Sequence, residues 1–151
     1  MKQSLVTLHK TCAVLAFIMI ASFFSSSLIS ELFADHATVA SVKYYISWAV
    51  WGLLPLMAMT GITGSKMAPK VKSGVGPIGR KKKRMPIIAV NGLLILLPCA
   101  MYLNVLASQG LFDQHFYLIQ GIELIAGSIN LTLMALNIRD GLTIKKPKIR
   151  K

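Results

Sequence analysis

Four apolar stretches, each close to the length of helix that crosses the hydrocarbon layer of a bilayer, constrain this chain more than any other feature. They run over Thr11–Ile29, Val42–Thr63, Met85–Ala107 and Phe116–Ile138, 19 to 23 residues apiece, against about 20 residues for one spanning helix. In hydrocarbon the backbone N–H and C=O groups must be satisfied inside the segment, so the regular solution for an isolated apolar run is a helix. The sequence therefore predicts an all-α integral membrane protein. Its four transmembrane helices cover about 11–30, 42–64, 85–107 and 116–138, in a single domain over 1–151. Composition agrees, with 54% hydrophobic and only 15% charged residues, where a soluble domain carries about 25% charged. Little chain is left over for a water-exposed active site.

A net charge of +12 on its own would suggest a nucleic-acid partner, but topology accounts for it. Lys2 and Lys10 precede the first run, and eight cations from Lys66 to Arg84 lie between the second and third. Six more, from Arg139 to Lys151, follow the fourth. With four spans these segments share one face, which holds sixteen of the seventeen Lys and Arg residues; Lys43 is the exception. Cytoplasmic loops are enriched in Lys and Arg, so both termini are expected inside, with a basic cytoplasmic loop at 65–84 and a basic tail at 139–151. The opposite face carries Glu31, Asp35 and Asp113. Short connections make an up-down-up-down bundle the default. Short loops with a clean charge bias favour a bacterial inner membrane. The basic start, apolar run and Ser25–Ser27 also fit a cleavable signal peptide, but the run continues through Leu28 and Ile29 without an A-x-A site, so it reads as a span.

Several local patterns carry less. Gly74-Val75-Gly76-Pro77-Ile78-Gly79 matches G-x-G-x-x-G, which marks dinucleotide binding only after a strand and opening a helix; it reads as a flexible loop. Arg80–Arg84 reads as a topology anchor that attracts anionic lipid headgroups. Pro86 suits a first helical turn, Pro55 a mid-helix kink, and Lys145–Lys151 a disordered tail. Cys12 and Cys99 fall at depths too different for a disulfide. Leu32-Phe33-Ala34-Asp35-His36 echoes Leu111-Phe112-Asp113-Gln114-His115 at the outer junction of each hairpin, as two related helical hairpins would.

Three constellations bear on chemistry. Glu123 lies roughly 10 Å into the bilayer if its helix starts near His115, and a carboxylate there must face protein, water or a partner. Lys43 sits at the matching depth of the second helix. Together with the amides of Asn91 and Asn130 they form the expected intramembrane polar site. On the outer face, His36 and His115 with Asp35 and Asp113 make a sensible ligand set for a divalent transition metal. The two imidazoles alone are a candidate cofactor site for haem b, held from opposite sides. His9 stands at the other end with no second histidine at its depth, and reads as an interfacial residue. No hydrolase, zinc-protease or nucleotide-binding motif is present, so enzymatic activity is disfavoured. The leading expectation is a non-enzymatic membrane component, a subunit, assembly factor or regulator, meeting a membrane-protein partner or a second copy of itself. The alternatives are an electron carrier linked to haem or quinone, and a small proton- or ion-coupled transporter using Glu123.

Overall fold

The computed structural model describes residues 2–144; the tail expected to be disordered, Lys145–Lys151, lies outside the described residues. Helix α1 runs over Lys2–Phe33 and α2 over His36–Met67. Helix α3, Gly76–Asn91, passes through a π-helical segment at Gly92–Leu96 into α4, Leu97–Ser108, and α5 covers Gln114–Leu142. Because α3, the π segment and α4 are continuous, the described chain forms four rods of 29 to 33 residues, each long and apolar enough to cross a membrane.

The helix starts follow from local chemistry. Asp35 caps α2 by accepting from the Thr38 amide at 2.8 Å, and Asp113 caps α5 by accepting from the Phe116 amide at 3.0 Å. Each satisfies one of the donors that a helix N-terminus leaves unpaired. The bonds from Thr38 hold the Asp35 carboxyl below the usual aspartate range. A depressed carboxyl contributes fully above its ordinary titration range and loses that contribution as pH falls through the folded value. Each of the two echoing motifs supplies an aspartate cap, at the fourth position in one and the third in the other.

The third rod departs from the sequence expectation. It begins at Gly76 rather than Met85, with Pro77 in its first turn and Pro86 inside the helix. The glycine motif is a tight entry turn, not a slack loop. Gly74 and Gly76 take φ values of +87° and +66°, the left-handed region that glycine adopts without steric cost. The Gly74 amide donates to the Gly79 carbonyl at 2.7 Å, and a Cβ on Gly79 would collide with the carbonyl oxygen of Lys72. Arg80–Arg84 therefore lie on a helix. Further along, Pro98 has no N–H for a normal bond four residues back, and its ring would press on that carbonyl. The widened turn immediately before it, where the Leu97 amide reaches Gly92 O, is the adjustment.

Contacts pair the rods end to end. His9 on α1 meets Thr60 and Thr63 on α2, while Ser27 meets Lys43. Arg84 on α3 meets Asp140 on α5, and Asn91 meets Asn130. One apolar core collects Ala16, Ile20, Val50, Leu53, Ile88 and Met134 from all four rods. A second, around Val39, Leu103, Leu106 and Phe116, closes the end that carries Asp35 and Asp113. Many of the largest apolar side chains point outward instead, among them Trp48, Leu94 and Ile125. An exposed apolar surface this extensive is a surface made for contact with something other than water.

The α1–α5 crossing turns on Gly127, where an added Cβ would stand 3.1 Å from the Phe24 ring. Gly127→Val is expected to cost about 1–3 kcal/mol by overpacking and to lower the thermal midpoint in detergent. Gly121→Val, where nothing lies within 4 Å, should leave the midpoint nearly unchanged.

Candidate functional site

Lys43 has no exposed side-chain surface. A buried ammonium has to be paired and hydrogen-bonded, and the fold supplies both. Its Nζ donates to Glu123 Oε2 at 2.6 Å and to Ser27 Oγ. Ser27 Oγ donates onward to Glu123 Oε2 at 3.3 Å. Gln120, one turn before Glu123 on the same face of α5, donates through Nε2 to Glu123 Oε2 at 3.2 Å and to Ser27 Oγ at 3.3 Å. The cluster ties α1, α2 and α5 together near the end that carries Asp35 and Asp113. Glu123 keeps 12% of its side chain exposed. It and Ser27 line one end of a cavity of about 60 Å³ whose other walls are apolar, including Phe24, Val50 and Leu53.

Asn91 and Asn130 meet in the middle of the bundle. Asn91 Nδ2 donates to Asn130 Oδ1 and to the Ala126 carbonyl, both at 2.8 Å. Asn130 Nδ2 returns to the Ile88 carbonyl at 3.4 Å. The four polar residues singled out in the sequence thus form two separate pairs, Lys43 with Glu123 and Asn91 with Asn130.

A third polar centre, at the basic end, escaped the sequence reading. Asp140 is 3% exposed and accepts from Arg84 at 2.7 Å and from Arg80 at 3.1 and 3.2 Å, with Arg139 3.7 Å away. Arg84 also donates to Asn137 at 3.4 Å. The signal was present, since Asp140 is the lone acid among sixteen cations on that side. It also continues the three- and seven-residue spacing of Gln120, Glu123, Asn130 and Asn137 along one helix face. Close by, His9 Nδ1 lies 3.1 Å from Thr60 O and 3.0 Å from Thr63 Oγ1.

His36, His115, Asp35 and Asp113 do not assemble, and among the described residues no group of three or more His, Cys, Asp or Glu side chains is placed to hold a metal ion. The physical reason is the caps, because Asp35 and Asp113 are each turned onto the helix that follows them. Both histidines are exposed. The His36 ring lies flat on Phe112, with centroids 4.1 Å apart, so it links the α1–α2 and α4–α5 connections. Cys12 and Cys99 are buried free thiols.

The sequence matches no protein-family model, and no curated protein and no solved structure matches the chain.

Removing one partner of a buried ion pair leaves the other charge uncompensated and costs about 3–5 kcal/mol. Lys43→Met and Glu123→Gln should each show a loss of that order in reversible unfolding in detergent. The double variant should be more stable than either single one. Asp140→Asn should lower the thermal midpoint, and Arg80→Ala, at the half-exposed partner, should lower it less.

Proposed function

We propose that this chain is a multi-pass integral membrane protein, an up-down-up-down bundle with both termini cytoplasmic, and that it serves as a non-catalytic component of a membrane assembly. The observation that carries the reading is how its interior ion pairs close on themselves. Lys43 is answered by Glu123, and Asp140 by Arg80 and Arg84. The cavity of about 60 Å³ falls well short of the roughly 300–1,000 Å³ typical of ligand pockets. The interior therefore offers no room for a sizeable ligand, and contacts with a partner fall to the outer surface.

That surface has two parts. The apolar belt meets lipid and a partner, which is a different membrane protein or a second copy of the chain. The basic end faces the cytoplasm of a bacterium and meets anionic headgroups, each nearby Lys or Arg contributing about 1 kcal/mol of attraction. Lys70, Lys72 and Lys83 are exposed there.

Topology is tested by single cysteines placed in the connections. In intact cells a membrane-impermeant maleimide should label Gln109→Cys and should reach Ser73→Cys only after lysis; the reverse pattern would invert the orientation. The assembly reading is tested by native electrophoresis of solubilised membranes at native expression level. A discrete particle well above the 16.5 kDa chain and its detergent shell is expected. A particle of monomer mass across several mild detergents would end it.

A further inference from the structure

The cluster around Ser27 contains two acceptors that the chain does not answer. Among the described residues, the buried side-chain oxygens and nitrogens without a hydrogen-bond partner are Glu31 Oε1 and Gln120 Oε1. Both belong to one neighbourhood. Gln120 is bonded to Ser27 Oγ, and Glu31 is one turn beyond Ser27 on α1, a spacing that stacks side chains on one helix face. The Gln120 amide is not simply reversed. Its Nε2 faces Ser27 Oγ and the Glu123 carboxylate, and turning it would set a carbonyl oxygen against that carboxylate.

The charges show what is missing. Lys43 and His36 from α2 and Glu123 from α5 are the ionisable groups whose fields act on Glu31. Lys43 is already bonded to Glu123 at 2.6 Å. His36 is exposed and stacked on Phe112. One ammonium therefore stands against two carboxylates, and an unpaired buried acceptor costs about 1–3 kcal/mol, more when charged. The species that answers a surplus carboxylate and an orphan amide carbonyl together is a single hydrogen-bond donor with a positive charge to give up.

We infer that the Ser27 cluster is a proton-binding site and that Glu31 is the residue that holds the proton. A proton taken from water forms an O–H bond on the Glu31 carboxylate and leaves hydroxide in the solvent buffer. The cluster then holds one ammonium, one carboxylate and one neutral acid. The new O–H is a donor, and Gln120 Oε1 is an acceptor of the same network that lacks one. Glu123 is already answered within the chain, because Lys43, Ser27 and Gln120 all donate to its Oε2. The inference concerns the site alone and holds with or without an assembly partner.

The chain contains two glutamates, Glu31 and Glu123, which makes a direct test available. The full-length protein, labelled with ¹³Cδ-glutamate and reconstituted in bilayers, is titrated while its two carboxyl signals are followed by carbon NMR or isotope-edited infrared spectroscopy. At neutral pH one signal is expected at the protonated-acid position and one at the carboxylate position. Glu31→Asp should remove the first and Glu123→Asp the second while each keeps a carboxyl in the cluster, so either variant assigns both should the other fail to fold. Two carboxylate signals at neutral pH would overturn the inference, as would loss of the protonated signal in Glu123→Asp.

Discussion

A lysine with no surface left to water sets the register of the end of the bundle that carries Asp35 and Asp113. Its Nζ needs an anion and several acceptors, and these come from two other rods, Ser27 on α1 and Glu123 on α5. Sliding α5 by one helical turn would move Glu123 by about 5.4 Å, well outside hydrogen-bond reach. The pair acts through specificity as much as strength. A buried ion pair often adds little net stability over an apolar isostere, yet breaking one half of it is expensive. Wrong alignments are penalised more than the right one is rewarded.

The same logic runs down α5. Gln120, Glu123, Asn130, Asn137 and Asp140 recur at intervals of three and seven residues, so they share one face and meet a succession of neighbours. The first two face Ser27 and Lys43, Asn130 faces Asn91, and Asn137 and Asp140 face Arg84. Where the surroundings are as apolar as the side chains, burial does not drive helices together, and close packing with interhelical hydrogen bonds must do more of it. Gly127 against Phe24 supplies close packing between two of these polar stations. The stripe and its glycine make α5 the element against which α1 and α3 are aligned.

The helical runs were legible because twenty apolar residues have few structural options. The pairing of Lys43 with Glu123 was open to argument from matched depth, since two buried opposite charges at one level have good reason to meet. The start of α3 was obscured by its glycines and by Pro86. Glycine near a helix start reads as slack until a specific close contact, here Gly79 against Lys72, is known to demand it. Asp140 was hidden for a different reason. A lone acid in a basic segment looks like noise in a charge count, and its role appears only when Arg80 and Arg84 stand on a neighbouring helix instead of in a loop. The caps made by Asp35 and Asp113 were harder to foresee: a carboxylate beside a histidine suggests a ligand, whereas each of these stands just before a helix and accepts from its first turn.

The third rod is 33 residues long, from Gly76 to Ser108, or about 50 Å at the rise of a helix. The hydrocarbon layer is about 30 Å thick. In the proposed placement roughly two-fifths of that rod stands outside the oil, and its projecting length carries the basic turn Arg80–Arg84, braced on α5 through Asp140. A stiff post rooted in the bilayer holds those charges at a fixed height, whereas a loop would let them follow the headgroups. Bilayer thickness then acts as a dial. A thinner membrane lifts the cationic turn away from the lipid phosphates, and a thicker one draws it down among them.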